Sequence, residues 1–179
     1  MNPKFQSDYY RMTGEKYAAS LKCSIKTLLQ HNLRFMFFFR QYQQKKTVLS
    51  RLFLYRMSRK YGLEISADTI IGEGLYLGHP YNITVAADTV IGKNVNLHKG
   101  CTIGRECRGS RCGVPTIGDN VYVGINAVVV GNITIGNDVM IAPNSFVNFD
   151  VPDHSVVVGN PGVIRAKEHA TESYVNFCV

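Results

Sequence analysis

Aliphatic residues recur at every sixth position through much of this chain, and that period fits neither of the two common elements. A helix needs apolar side chains every three or four residues, and a half-buried strand needs them every two. Ile65, Ile71, Leu77 and Ile83 step by six. After a slip of two the count resumes at Val85, Ile91, Leu97 and Ile103. After a longer break it runs without a fault from Ile117 through Val123, Val129, Ile135 and Ile141 to Val147. Several of these residues are followed at once by glycine, as at Gly72, Gly92, Gly118 and Gly136. The pattern suits a coil of three short flat strands whose aliphatic side chains point inward and stack on the next coil. Gly, Asn and Asp then take the corners, where a positive φ is cheap. Three sixes make a coil of about eighteen residues, so residues 62–166 are expected to form a parallel β-helix of the hexapeptide class.

Residues 1–61 lie outside this pattern. CSIKTLLQHNLRFMFFFRQYQQKKTVLSRLFLYRMSRKYG has no Gly or Pro before Gly62 and carries basic residues throughout, which predicts two helices, at 16–29 and 32–60. LRFMFFFR falls short of the roughly twenty apolar residues that a membrane span needs. The helical segment is expected to pack on the first coil and shield its open edge. Its basic, amphipathic surface also suits peripheral contact with the inner membrane surface. Residues 167–179 remain as a C-terminal tail.

A length of 179 residues favours one domain with an appendage, and 45% hydrophobic content with 18% charge is globular. The net charge of +7 calls for an anionic partner. No helix-turn-helix, RNP or zinc-finger pattern is present, so nucleic acid is not the expected partner. A phosphate-bearing small molecule or a bilayer surface serves equally well. The five cysteines are an odd, scattered set without a signal peptide, which points to the cytoplasm and to no disulfide framework. Cys107 and Cys112 are five apart, which is not a zinc-pair spacing, and no metal is expected.

A solenoid buries its aliphatic face, so chemistry belongs where the period breaks. The first break is GHPYN at 78–82, and the second is RECRGSRCGVP at 105–115, a loop inserted between Ile103 and Ile117. His79 is the candidate general base. Glu64 lies fifteen residues earlier at a similar phase of the preceding coil, and coil neighbours stand about 4.8 Å apart. A carboxylate there would set the imidazole tautomer and support its charge while it deprotonates an alcohol that attacks an acyl group. His98 is a second candidate, lining the same groove or lying on plain surface. Arg105, Arg108 and Arg111 are either a solvated face or a clamp for phosphates or an acidic sugar.

LEISADTIIGEGLYLGHP, NLHKGCTIG, VPTIGDNVYVGINAVVVGNITIGNDVMIAPNSFV and VPDHSVVVGNPGVIR together resemble the serine acetyltransferase branch of the hexapeptide acyltransferases. That branch includes many small O-acetyltransferases of capsule and exopolysaccharide synthesis. The resemblance implies a left-handed β-helix, a homotrimer, and acetyl-CoA bound in the groove between neighbouring subunits. It also implies a catalytic dyad at Glu64 and His79, with Glu where serine acetyltransferases usually have Asp. By position, the cofactor contacts fall on Gly124, Ile125, Ala142 and Pro143. The turn that holds Pro161 would lie near the adenine, with Arg165 and Lys167 in reach of a phosphate.

Two departures stand out. Serine acetyltransferases place Asp directly before the catalytic His and an Arg-His pair before the Pro that opens the later coils, and those groups hold the amino acid. Here Gly78 precedes His79, and Gly113 and Val114 precede Pro115. The expected acceptor is therefore a hydroxyl of a carbohydrate or polysaccharide intermediate. His98, Arg105, Arg108 and Arg111 would bind it, with the arginine loop hanging over the groove beside His79. Serine O-acetylation for cysteine biosynthesis is the alternative.

Overall fold

The computed structural model describes residues 2–179, and residues 63–166 wind into a left-handed parallel β-helix of about five turns. Each turn contributes one strand to each of three sheets. The first sheet stacks β1 (Leu63–Ile65), β4 (Ile83–Val85), β7 (Thr102–Gly104), β10 (Val128–Val130) and β13 (Phe146–Val147). The second stacks β2 (Ile70–Ile71), β5 (Val90–Ile91), β8 (Thr116–Ile117) and β11 (Thr134–Ile135). The third stacks β3 (Tyr76–Gly78), β6 (Asn96–His98), β9 (Tyr122–Val123), β12 (Val139–Ile141) and β14 (Ser155–Val158). Antiparallel β15 (Val163–Ala166) closes the last coil against β14.

The six-residue period is the register of this stack. Ile65, Val85, Ile103, Val129 and Val147 pair in one column. Ile71, Ile91, Ile117 and Ile135 form a second, and Leu77, Leu97, Val123, Ile141 and Val157 a third. None of them is more than 7% exposed. Strands of two or three residues are marginal alone. Burying each aliphatic side chain contributes about 1.5–3 kcal/mol, so the three continuous columns hold them together. The corner between the third and first sheets is a ladder of left-handed residues, Gly62, Asn82, Gly100, Asn126 and Asn144, with φ of 65°, 54°, 73°, 56° and 59°. Asn tolerates this conformation because its short amide bonds locally.

The helical segment differs from the expectation of two helices. It has four: α1 (Pro3–Thr13), α2 (Leu21–Leu29), α3 (His31–Lys45) and α4 (Val48–Tyr61). Asn2 accepts a hydrogen bond from the Lys4 amide and Pro3 opens the first turn, which starts α1. The helix expected at 32–60 is broken where Lys46 turns left-handed, at φ 49°, and Thr47 caps α4 by accepting from the Ser50 amide. Phe5 and Tyr9 of α1 and Leu33, Phe35, Met36 and Phe39 of α3 are buried in the same core as the first coil, so these helices cap it. The outer faces of α2 and α4 expose Leu21, Leu28, Leu29, Val48, Leu49 and Leu52. Among the described residues no helix is long and apolar enough to cross a membrane.

Candidate active site

The corner after β3 carries the two-residue slip. In the next coil the Lys99 amide donates to Gly78 O at 3.0 Å and the Gly100 amide to Tyr81 O at 2.9 Å. Register is therefore kept on both sides of the slip, and His79 and Pro80 are the two residues left over. The Tyr81 amide closes the turn on His79 O at 2.8 Å. His79 adopts φ 48° and its side chain is exposed, whereas Pro80 is buried. His31, at the start of α3, braces the turn from the helical side. Its ring stacks on Tyr61 at 4.6 Å and lies 5.1 Å from Tyr81. Nothing in the sequence marked His31 for this place, because its contact crosses from one layer of the fold to another.

The register corrects the stacking argument for Glu64. The first coil is twenty residues long, since Leu63 pairs with Ile83, and the residue above Glu64 is Thr84. His79 lies five positions before Thr84, at the corner that feeds the first sheet. Glu64 is exposed on β1 and faces a groove of about 620 Å³ that it shares with Arg51, Tyr55 and Ser58 of α4 and with Thr84.

His98 projects outward from β6 directly above Gly78. Its ring is 4.6 Å from Tyr122 and 5.9 Å from Tyr76. Burial, reinforced by the nearby His79, depresses its pKa to about 4. The imidazole is therefore neutral at pH 7, and its buried Nε2 has no hydrogen-bond partner. It is thus a half-buried neighbour of His79 rather than plain surface.

Most of the cofactor candidates fall on the corner that carries His79. Gly124 and Ala142 follow the third-sheet strands of successive coils, with the Gly124 amide donating to Ile141 O at 2.9 Å. A β-carbon on Gly124 would stand 2.7 Å from the Pro143 nitrogen, so the coils meet here with no room for a side chain. Ile125 and Pro143 are exposed beside them. Pro161 lies in the turn between β14 and β15, which the Gly162 amide ties to Phe146 O at 2.9 Å, next to the same corner. Together these residues make a strip two coil steps long, about 10 Å at about 4.8 Å per step, and His79 lies two steps further along the same corner. Arg165 pairs with Val156 partway along β14. Lys167 lies at the far end of that strand, its amide bonded to His154 O at 2.8 Å, and is off the strip.

The arginine loop leaves the opposite corner, between the first and second sheets, because it joins β7 to β8. Arg105 pairs with Asp88 at 2.7 Å, and the Arg111 guanidinium donates to Asn148 O. Arg108 sits at the exposed tip. Within one chain the loop therefore does not hang over His79, contrary to expectation. An insertion's position along the sequence does not reveal which corner of a triangular coil it leaves.

The family description "Bacterial transferase hexapeptide (six repeats)" matches residues 115–148. A serine acetyltransferase of Staphylococcus xylosus is 40% identical over 126 residues, covering 69% of this chain and 57% of its own length. The chain thus spans a little over half of the curated relatives it matches. The crystal structure of Neisseria gonorrhoeae serine acetyltransferase in complex with serine is 30% identical with a TM-score of 0.71, covering 91% of this chain and 68% of that one. A serine acetyltransferase solved in complex with CoA shares the fold at 24% identity, with a TM-score of 0.74 and coverage of 90% and 68%. The first two likenesses overturn the carbohydrate or polysaccharide acceptor, since both of those proteins are serine acetyltransferases. The missing Asp before His79 and Arg-His pair before Pro115 are three expected partners of an amino acid, but their loss does not build a sugar site.

Proposed function

We propose, from the premise that this chain belongs to the hexapeptide-repeat acyltransferase family, that it transfers the acetyl group of acetyl-CoA to the hydroxyl of L-serine. The observation that carries this reading is the 40% identity to a serine acetyltransferase over 126 residues. His79 is the general base. Its imidazole takes the serine hydroxyl proton as the oxygen attacks the thioester carbonyl. The tetrahedral intermediate then collapses, the C–S bond breaks, and the imidazolium returns the proton to the departing thiolate. Glu64, the carboxylate that the family resemblance pairs with His79, supports the imidazolium. His98, neutral at pH 7, adds no opposing positive charge beside it.

Gly124, Ile125, Ala142, Pro143 and Pro161 offer backbone and apolar contacts along the strip for the extended arm of acetyl-CoA, with Arg165 placed to meet a phosphate. With the usual amino-acid partners absent, Arg51 in the Glu64 groove supplies a guanidinium for the serine carboxylate. The working assembly is a homotrimer with its sites between copies. In that arrangement the loop of Arg105, Arg108 and Arg111, remote from its own His79, is free to approach the next copy's corner. The test is thiol release from acetyl-CoA, followed with a thiol reagent, in the presence and absence of L-serine. Serine-dependent release is expected. A rate with L-serine no greater than with buffer overturns the reading.

A further inference from the structure

We propose that Cys107 and Cys112 form a reversible disulfide across the tip of the 105–115 loop. The base of that loop is an antiparallel pair in which Glu106 and Gly113 exchange both backbone hydrogen bonds, each 2.9 Å. Cys107 and Cys112 flank this isolated pair on its outer side, each one residue from a bonded partner. A hydrogen-bonded antiparallel pair such as Glu106–Gly113 holds its Cα atoms about 5.5 Å apart, so the two cysteines leave the pair from neighbouring starting points. Disulfides span about 4.4–6.8 Å between Cα atoms, a range that the short 107–112 loop with its open tip at Gly109 can reach.

The limbs of the hairpin are anchored and its tip is free. Arg111 O accepts from the Asn132 amide at 2.9 Å, and Arg105 pairs with Asp88 at 2.7 Å. Beyond the cysteines the Cys112 amide closes a turn on Gly109 O at 3.3 Å, and nothing lies within 4 Å of the side-chain position at Gly109. Both thiols are free and exposed, whereas Cys23 and Cys101 are buried. Arg108 at the tip and Arg111 beside Cys112 leave the loop with net positive charge beside the single carboxylate of Glu106, whose Oε1 accepts from the Cys107 amide at 2.9 Å, and favour an anionic oxidant such as glutathione disulfide.

The exchange balances in two steps. One protein thiolate attacks a sulfur of the small disulfide, forming a mixed disulfide and releasing a thiolate that takes up the lost proton. The second protein thiolate attacks the protein sulfur of that mixed disulfide, forming the Cys107–Cys112 bond and releasing the second small thiol. Two electrons and two protons pass to the oxidant, and a dithiol reductant reverses the reaction.

The test treats the full chain with oxidised glutathione and digests it with trypsin without reduction. Cleavage after Arg108 and Arg111 separates fragment 106–108 from fragment 112–165, so the two remain linked only through this disulfide. The expected result is that linked pair, its loss on reduction, and monomer mobility on a non-reducing gel. Cys112→Ser should stop at a glutathione adduct on Cys107. The proposal is overturned if the unaltered chain retains glutathione on Cys107 or Cys112 as a lasting adduct. It is equally overturned if oxidation joins either cysteine to Cys178 or to a second copy.

Discussion

The imidazole of His98 lies so close over Gly78 that a β-carbon on Gly78 would stand 2.4 Å from His98 Nδ1 and 2.5 Å from Cε1. Gly78 occupies the place where the resembling enzymes carry Asp, and the His98 ring takes the room that a side chain there would need. Tyr76 and Tyr122 flank that ring, so it cannot swing aside freely. Gly78→Ala should therefore cost about 1–3 kcal/mol through overpacking. The double variant Gly78→Ala/His98→Ala should recover most of it, as coupled neighbours do. Thermal unfolding of the three variants measures the coupling, and a neutral Gly78→Ala would refute the contact.

His79 sits on an exposed corner outside the aliphatic columns, so its loss should separate activity from fold. His79→Ala should lower serine-dependent thiol release by about 100- to 10,000-fold, the usual cost of a general base, with unchanged thermal unfolding. If turnover stays near normal, the base lies elsewhere and His98 is the next residue to replace.

Asp8 and Arg40 join α1 to α3 with neither side chain exposed, Arg40 Nε standing 2.8 Å from Asp8 Oδ2. Arg40 also donates to Ile71 O at 2.9 Å and Gly72 O at 2.6 Å, and the Leu75 amide donates to Asp8 Oδ1 at 2.9 Å. The pair therefore fastens the helical cap to the first coil. Arg40→Met strands a buried carboxylate and should cost about 3–5 kcal/mol, whereas Asp8→Leu/Arg40→Met should cost clearly less. Urea unfolding distinguishes them. Equal losses would mean that packing, not charge, dominates there.

The C-terminal tail is anchored on Asp138, which accepts from the Ala170 amide at 3.0 Å and from the Thr171 amide at 2.9 Å, and pairs with His154 at 2.9 Å. Burial pushes the Asp138 pKa up, but the hydrogen bonds from Thr171, His154 and Ala170 outweigh it and hold the carboxyl at about 2. The hydrogen bond to Asp138 raises the His154 pKa. Asp138 therefore contributes stability that is present above its unfolded value of about 3.9 and is lost as pH falls toward 2. His154 contributes stability that is present below about 6.5 and is lost as pH rises through its raised folded value. Amide exchange at Ala170 and Thr171, corrected for intrinsic rates, should show greatest protection between about pH 4 and 6.5. Protection that does not change across pH 2–8, or that survives in Asp138→Asn, would remove the anchor.

The inward columns were legible because burial in this coil is local. Each aliphatic residue points inward by its place within its own short strand, and the six-residue side of a coil, strand plus corner, repeats that place whatever the coil length. The start of α1 was present in the Asn2–Pro3 pair and the break before α4 in Thr47, but long helical composition hid both. The site was legible only in part. His79 stood out because the period slips there, and the strip from Gly124 to Pro161 emerged on its corner. Glu64 did not stack under His79, because a twenty-residue coil put Thr84 there instead. The acceptor was misread, because residues that are absent do not reveal what the remaining groove binds.

By itself, then, the sequence determined the solenoid, its inward face and the exposed histidine at the first slip, all properties of residues near one another along the chain. Tertiary structure alone decided that His31 braces the His79 turn, that His98 fills the space above Gly78, and that the arginine loop leaves the corner away from His79. Those relationships join residues brought together by the winding of whole coils. Unequal coil lengths of eighteen, twenty and more residues shift one coil against the next in a way no local pattern records.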